Sequence, residues 1–423
     1  MSVDTWNQVV HLSRRAGFGE SLATLKGWQN QSYATTVNAL FTTATANDLT
    51  AIIAPVGIEG KETRGPDFMK IREAWISRLV QTNQPLVEKM TLFWHNHFAT
   101  AEYKVNSPAL MLLQNNTLRR NALGSFRQML MDITADPAML IWLDNARSTN
   151  KSPNENYGRE LMELFTIGLT YTQADVTAAS QAMTGYELNR KTGQVKFVPA
   201  RHNNQLKTFF GHTGNLGPAD IIDDLLANPN CAPFIVTKVL KWFVHPNPPQ
   251  DWVSKFAQVF VQSGYQIGTL MRTIFLSAEF LSTSAVGSLV KSPADYVIGL
   301  MRMTGANVPT RQLDLVMTSG GMQLFNPPNV AGWTGGQTWL SSATLLSRFN
   351  FAFQVAKRMG GANAGAAQPD PLQVLADAQV LSPSAVTSKT LQDYAAHHGS
   401  VGAVELTQQL RYLAWISPEF QLC

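Results

Sequence analysis

The sequence predicts a mainly α-helical protein, a large multi-helix globular bundle with one small β-hairpin near residues 186–198. Two observations predict this class. Apolar residues recur at helical spacing through most of the 423 residues, and alternation typical of strands is confined to that short stretch. Only 15% of the residues are charged, against roughly 25% in a typical globular domain. Together with ten Trp residues, this low charge indicates a large buried core.

Helical periodicity is clearest in three segments. Amphipathic helices are predicted at 68–82 and 85–98, and a third at 155–167, where Asn154 is a good N-cap and Gly168 a suitable C-cap. Further helices are predicted at 107–121, 125–133, 173–184, 218–228, 231–244, 251–263, 266–282, 291–304, 341–358, 371–378, 383–397 and 403–416.

Three segments depart from this periodicity. Residues 186–198 (YELNRKTGQVKFV) alternate around a Lys-Thr-Gly turn, which predicts the hairpin. Residues 201–214 combine Arg, Lys, His, Asn and Gly in a pattern that suits no helix, so a loop is expected there. Residues 326–339 are rich in Pro, Gly and Trp, and form an ordered loop because two Trp rings need burial.

The chain divides at a stretch rich in Gly and Ala. Residues 1–358 are predicted to form a single helical domain that contains the candidate site. Residues 359–371, which include GGANAGAAQPDP, form a linker, and residues 372–423 supply C-terminal helices that dock on the main domain.

Composition argues against several classes of protein. Net charge is only +4, and short clusters such as Arg14-Arg15 indicate solvated faces, so we expect no nucleic-acid partner. The chain lacks a run of 18 apolar residues, so no membrane span is expected, and its first residues lack the apolar core of a signal peptide. The chain as given is predicted to be cytoplasmic, the alternative being an exported protein whose signal is absent from this sequence. Two cysteines, Cys231 and Cys423, are expected to be free thiols, and the oligomeric state is left open.

Familiar cofactor motifs are missing from the sequence. It contains no phosphate-binding G-x-x-x-x-G-K-[ST], no dinucleotide-binding G-x-G-x-x-G after a strand, no H-E-x-x-H and no G-x-S-x-G. This disfavours the common nucleotide-cofactor enzymes and zinc proteases.

The helix at 155–167 carries the densest polar cluster. Glu160 and Glu163 lie one turn apart beside Arg159. One interpretation makes the two carboxylates general acid and base, or ligands of one divalent metal ion. The other is an ordinary solvent face with Arg–Glu pairs at i,i+4. The sequence leaves both open.

His97 is the third member of this candidate catalytic set. It falls on the predicted buried face of the helix at 85–98, whereas His95 points the opposite way, so the two cannot chelate one ion. A buried imidazole needs a partner, and a carboxylate from another helix would serve. His97 is thus predicted to act as a third metal ligand or as a proton shuttle, and a satisfied core histidine is the alternative.

Donors that suit an anionic or hydroxyl-rich substrate occur elsewhere. His202 joins the catalytic set, and the 201–214 loop supplies further cations. The predicted substrate-binding residues are Arg159, Asn154, Asn156, Lys207, His212 and Trp333. The alternative is that the loop is a solvated connector and that the Trp-rich segment is a structural cap.

Two functions follow from these residues. The first is an enzyme that performs hydrolysis or group transfer on a saccharide, phosphoester or peptide, with one divalent metal ion as the candidate cofactor. The second is a non-catalytic binding or assembly module whose polar cluster is a buried structural network. For the enzyme, a carboxylate of Glu160 or Glu163 should lie within roughly 8 Å of His97 or of the 201–214 loop, under the 326–339 loop.

Several long motifs carry a family resemblance. They include HLSRRAGFG (11–19), EKMTLFWHNHFAT (88–100), PNENYGRELMELFTIG (153–168) and FNPPNVAGWTGG (325–336). Over nearly the whole chain the sequence resembles the bacterial domain-of-unknown-function 1800 family. It departs from the family pattern at Asn203, where an Asp is usual, and at Gly158, where an Ala is usual. The resemblance implies a largely helical bacterial fold and brings no established activity or cofactor.

Overall fold

Helices dominate the computed structural model, which describes residues 4–42, 52, 66–359 and 367–423. This confirms the mainly α fold. In the described part of the chain the α-helices are α1 (Thr5–Arg15), α2 (Leu22–Gln29), α3 (Tyr33–Thr42), α4 (Pro66–Gln81), α5 (Pro85–His97), α6 (Glu102–Val105), α7 (Pro108–Arg120), α8 (Phe126–Thr134), α9 (Pro137–Trp142), α10 (Glu155–Glu163), α11 (Gln173–Ala182), α12 (Pro218–Ala227), α13 (Cys231–Phe243), α14 (Gln250–Gln262), α15 (Ile267–Phe275), α16 (Pro293–Thr304), α17 (Thr310–Ser319), α18 (Ser342–Arg358), α19 (Pro371–Asp377), α20 (Ala385–His397) and α21 (Ala403–Ile416). Among these residues there is no helix with both the length and the apolar character needed to cross a membrane.

Most helices lie where the sequence predicts them, with two kinds of exception. The helix predicted at 155–167 with Gly168 as its C-cap is too long, because α10 ends at Glu163 and the N–H groups of Ile167 and Gly168 both turn back to the Met162 carbonyl. The helix predicted at 266–282 is too long, because α15 ends at Phe275 and Ser277 then turns back to donate to the carbonyl of Ile274 at 2.7 Å. Six helices, α1–α3, α6, α9 and α17, were not predicted. Helix α9 shows why, since all six of its residues are buried and none marks a polar face.

The strands form two antiparallel hairpins. β1 (Tyr186–Asn189) pairs with β2 (Gln194–Phe197), as predicted. β3 (Lys207–Phe209) pairs with β4 (His212–Gly214), so the prediction of an irregular loop at 201–214 is wrong. These strands are only three residues long, too short for an alternating pattern to stand out in the sequence.

Helix α5 crosses the main core and is buried on nearly every side, so its description as an amphipathic helix is wrong. Its charged residues are buried with partners. Glu88 accepts from Arg119 at 2.6 Å and from Arg78 at 2.9 Å, and Lys89 pairs with Asp295. The charged residues of α5 are therefore buried in ion pairs and do not form the solvent-exposed polar face that the sequence suggested.

The C-terminal helices contact the rest of the fold. Helix α21 packs on α18, and the Trp415 carbonyl accepts from the Tyr296 hydroxyl of α16 at 3.0 Å. Leu422 forms a β-bridge with Val290. Most of the predicted 359–371 linker lies outside the described residues, and the domain boundaries stay a prediction.

Candidate functional site

The 326–339 loop is tied to the C-terminal end of α5. The backbone N–H of Trp333 donates to Asn96 Oδ1 at 2.7 Å, and just before the loop the N–H of Phe325 donates to His95 Nε2 at 3.1 Å. Gly332 permits this approach: its φ is +81°, and a Cβ there would lie 2.4 Å from the Asn96 carbonyl oxygen. Only glycine fits such a contact, so the loop is held firmly on the helix.

Beside this contact lies a cavity of about 600 Å³. Its walls come from α5, α13, the loop and the segment that precedes α16. Four cations, one side-chain carboxylate and several aromatic rings stand out in the lining, namely Arg15, Lys89, Lys238, Lys241, Asp295, Phe93, Trp242, Trp333 and Trp339. The four cations outnumber the Asp295 carboxylate, which is paired with Lys89, and the negative charge at Cys423, so the lining is cationic overall.

Arg15 is the most deeply buried of these cations, at 1% exposure. Its Nη2 donates to the Ala285 carbonyl at 2.9 Å, whereas Nε and Nη1 have no hydrogen-bond partner among the residues that the structure describes. Burial lowers the pKa of Arg15, and negative charge at Cys423 and Asp295 opposes that shift. Buried guanidinium N–H groups without a partner are costly, so Arg15 is held in the fold at an energetic penalty. The interpretation of Arg14-Arg15 as a solvated cluster is wrong, since Arg14 too is only 3% exposed.

His97 is buried among aromatic rings and lines the cavity. Its Nε2 lies 3.1 Å from the Phe165 carbonyl oxygen, which can only accept, so Nε2 carries the proton. Burial, followed by the nearby Lys238, holds the pKa of His97 well below its usual value. The ring is therefore neutral, and Nδ1 is an acceptor that faces Lys238 Nζ at 3.4 Å.

Lys238 completes a pair with His97. Its Nζ donates to the Leu164 carbonyl at 2.6 Å and lies 4.6 Å from the centre of the Phe234 ring. Burial lowers its pKa to about 8. Within the described residues Lys238 forms no ion pair with a carboxylate, so its charge is not fixed by a partner.

The two predicted carboxylates lie outside the cavity lining. Glu160 and Glu163 are both partly buried, and Glu163 accepts a hydrogen bond from the Tyr171 hydroxyl. Burial and then Glu163 raise the pKa of Glu160, while Arg159 opposes that rise. Arg159 itself forms a surface pair with Glu155 at 3.1 Å, as the solvent-face alternative predicts.

The predicted metal ligands do not form a coordination set. Among residues 4–42, 52, 66–359 and 367–423, no group of three or more His, Cys, Asp or Glu side chains is placed to hold a metal ion. Glu160, Glu163 and His97 are therefore not assembled as ligands. The physical reason is that both nitrogens of His97 are engaged, one by a backbone carbonyl and the other by Lys238.

The polar side chains around the second hairpin are held in local contacts. His202 Nδ1 lies 3.0 Å from the Thr184 carbonyl oxygen. Lys207 Nζ donates to the Asn203 carbonyl at 2.6 Å, and His212 pairs with Asp224 at 2.9 Å. None of these lines the cavity. These contacts hold the chain around the second hairpin. At Asn203, where the family usually has Asp, the side-chain Oδ1 accepts from the backbone N–H of Gln205 at 3.0 Å.

The start of α10 is likewise explained by local structure. Asn154 is its N-cap, as predicted, and accepts from the N–H of Asn156 at 2.8 Å. Asn156 is exposed. Gly158 lets α11 come close, because a Cβ there would lie 3.0 Å from Ser180 Oγ.

Of the predicted site residues, the structure brings His97 and Trp333 to one cavity. Arg15, Lys89 and Lys238 also line this cavity, but the sequence did not identify them as candidate site residues. A signal was present for Lys238, since it interrupts an apolar helical segment between Val236 and Val239, where a lysine is unusual without a reason.

Comparison with known proteins places the chain in a family without assigning it an activity. The family model described as "Protein of unknown function (DUF1800)" matches residues 11–422. No curated protein and no solved structure matches the chain. Because the match covers nearly the whole chain, including every residue of the cavity lining except Cys423, the protein belongs to the DUF1800 family.

Proposed function

We propose that this protein is an enzyme that performs hydrolysis or group transfer on an organic anion bound in the cationic cavity. The observation that carries the proposal is the His97–Lys238 hydrogen bond on the cavity wall. Two groups able to exchange a proton thus meet where a small molecule has room to bind.

The lining favours an anion with an apolar or ring-shaped part. Four cationic side chains line the cavity, against the carboxylate of Asp295, which is paired with Lys89, and negative charge at Cys423. The ammonium groups of Lys238 and Lys241 in the lining suit a carboxylate, phosphate or sulfate. Trp242, Trp333 and Trp339 offer apolar faces that sugars and aromatic rings pack against.

Lys238 and His97 divide the proton transfer between them. With a pKa of about 8, Lys238 has both its charged and its neutral form available near neutral pH, which suits a general acid or base. Neutral His97 accepts at Nδ1, and the Phe165 carbonyl fixes its tautomer. These roles replace those first predicted for Glu160 and Glu163.

A binding or assembly module is the second candidate. It is favoured by the positions of Lys207 and His202. Their side chains contact neighbouring backbone carbonyl oxygens and lie outside the cavity lining. Under this function the cavity would hold an anion without converting it.

Titration with phenyl phosphate, followed by tryptophan fluorescence, tests the binding step. Replacing the exposed cavity residue Lys241 by Gln should weaken binding roughly fivefold, as about 1 kcal/mol for an exposed charge pair implies. The matched control is Lys357→Gln on α18, which is exposed and outside the cavity lining. Absence of saturable binding, or equal weakening by both variants, would overturn the proposed cavity.

Turnover separates the enzyme from the binding module. The wild type is assayed with 4-nitrophenyl phosphate, 4-nitrophenyl acetate and a 4-nitrophenyl glycoside, beside His97→Asn. Turnover that His97→Asn abolishes, with phenyl phosphate binding retained, supports the enzyme. Binding without turnover of any of these probes favours the module.

A further inference from the structure

We propose that Lys238 forms an imine with a carbonyl group of the bound anion, so that the substrate is an anionic aldehyde or ketone such as a 2-oxo acid. This inference rests on the proposed function and deepens it, because it names the substrate class and the nucleophile of the same cavity.

The surroundings of Lys238 Nζ are those of an amine that can become neutral. Its hydrogen-bond acceptors are uncharged, the Leu164 carbonyl at 2.6 Å and His97 Nδ1 at 3.4 Å. A neutral amine can donate to both and still have a lone pair at its remaining tetrahedral position. A carboxylate partner would instead hold the ammonium form, and none is paired with Lys238 within the described residues.

The two other lysines of the cavity differ in this respect. The ammonium group of Lys89 is bound to the carboxylate of Asp295. Lys241, one turn after Lys238 on α13, is exposed to solvent. Burial lowers the pKa of Lys238 to about 8, so an appreciable fraction of the amine is uncharged near neutral pH. Of these three amines, Lys238 is therefore the one suited to nucleophilic attack.

The proposed step needs no oxidant or reductant. The lone pair of Lys238 Nζ attacks the carbonyl carbon, a C–N bond forms, and the π electrons of the carbonyl move to its oxygen. Nζ gives a proton to His97 Nδ1, which returns it to the carbinolamine oxygen. The second Nζ proton then follows the same route to the resulting hydroxyl group, the nitrogen lone pair forms the C=N bond as the C–O bond breaks, water leaves, and the neutral imine remains. A cationic side chain of the lining would pair with the carboxylate of the substrate.

Reductive trapping tests the imine directly. The full chain is incubated with pyruvate and sodium cyanoborohydride, and the adduct is located by peptide mass spectrometry. We expect a carboxyethyl group on the peptide that contains Lys238, no such group at that position in Lys238→Arg, and unchanged labelling of Lys238 in Lys357→Arg, whose lysine is exposed and outside the cavity lining. His97→Gln should slow the labelling, because the proton acceptor is lost.

The result that overturns the inference is a wild-type chain in which Lys238 is unmodified, or labelled no faster than the exposed Lys191. This comparison uses the wild type alone and so stands even if Lys238→Arg fails to fold. Phenyl phosphate binding, measured on the same preparation, separates the two proposals. Phenyl phosphate binding without labelling of Lys238 refutes the imine but agrees with the anion site. If phenyl phosphate does not bind and Lys238 is not labelled, the cavity is refuted as a site.

Discussion

Replacing Gly332 by Ala should detach the loop that walls the cavity. The added Cβ would lie 2.3 Å from Asn96 Oδ1 and 2.4 Å from the Asn96 carbonyl oxygen, at a φ of +81°. Such contacts are far inside van der Waals separation, and one of them is with backbone, which cannot swing aside. The loop must therefore move away from the end of α5.

The magnitude can be estimated from the contacts that are lost. A left-handed backbone costs a non-glycine residue about 1–2 kcal/mol. Moving the loop also breaks the hydrogen bond from Trp333 N–H to Asn96, worth about 1 kcal/mol. Trp333 is 7% exposed, and uncovering part of its ring adds roughly 1–2 kcal/mol. We expect Gly332→Ala to lower the free energy of unfolding by about 4 kcal/mol.

Gly336→Ala is the matched control in the same loop. Gly336 also has a positive φ, +61°, but a Cβ there would meet no atom within 4 Å. It should therefore cost only the backbone term of about 1–2 kcal/mol. Both variants are measured by urea unfolding monitored by tryptophan fluorescence, and both are titrated with phenyl phosphate. If Gly332→Ala is no less stable than Gly336→Ala and binds the probe equally well, the reasoning about the loop is refuted.

Two further predictions concern buried carboxyls. Burial raises the pKa of Asp136 to about 7, so the folded protein favours the protonated carboxyl group. The free energy of unfolding should therefore fall as pH rises from the unfolded pKa near 3.8 to about 7, by up to about 4 kcal/mol. Asp136→Asn keeps an N-cap for α9, and it should remove most of the difference in the free energy of urea unfolding between pH 5 and pH 8. If this difference is the same in the variant and the wild type, the prediction is contradicted. Although burial disfavours the charged form of Glu88, Arg119 and Arg78 hold the pKa of Glu88 below its usual value. The ionised carboxylate therefore stabilises the fold above the unfolded pKa, and this stabilisation is lost as pH falls through the folded pKa. Glu88→Gln leaves Arg119 short of a buried counter-charge and should cost about 3–5 kcal/mol at pH 7; a loss under 1 kcal/mol would show that water or another group replaces the carboxylate.

The fold was largely predictable because it consists of helices with ordinary amphipathic patterns. Capping residues such as Asn154 act as local chemistry suggests. The pattern failed where burial is complete, as in α5 and α9, because a helix enclosed by protein has no polar face to reveal it. It failed again at β3 and β4, since three-residue strands carry too little alternation.

The site was less predictable, because the cavity depends on tertiary contacts. His97 and Trp333 could be singled out from local composition, and both line it. Arg15 comes from a segment more than 200 residues away from Lys238 on α13, and no local pattern links them. Polar density drew attention to Glu160 and Glu163, which interact with Arg159 and Tyr171 and lie outside the cavity lining.

A crystal structure of the full chain soaked with pyruvate tests the central claim most directly. We expect density for the anion in the cavity beneath the 326–339 loop, with its carboxylate within hydrogen-bond distance of a lining cation and its carbonyl carbon joined to Lys238 Nζ. A cavity that holds only water, with pyruvate bound instead beside Glu160 and Glu163 or along residues 201–214, would contradict it.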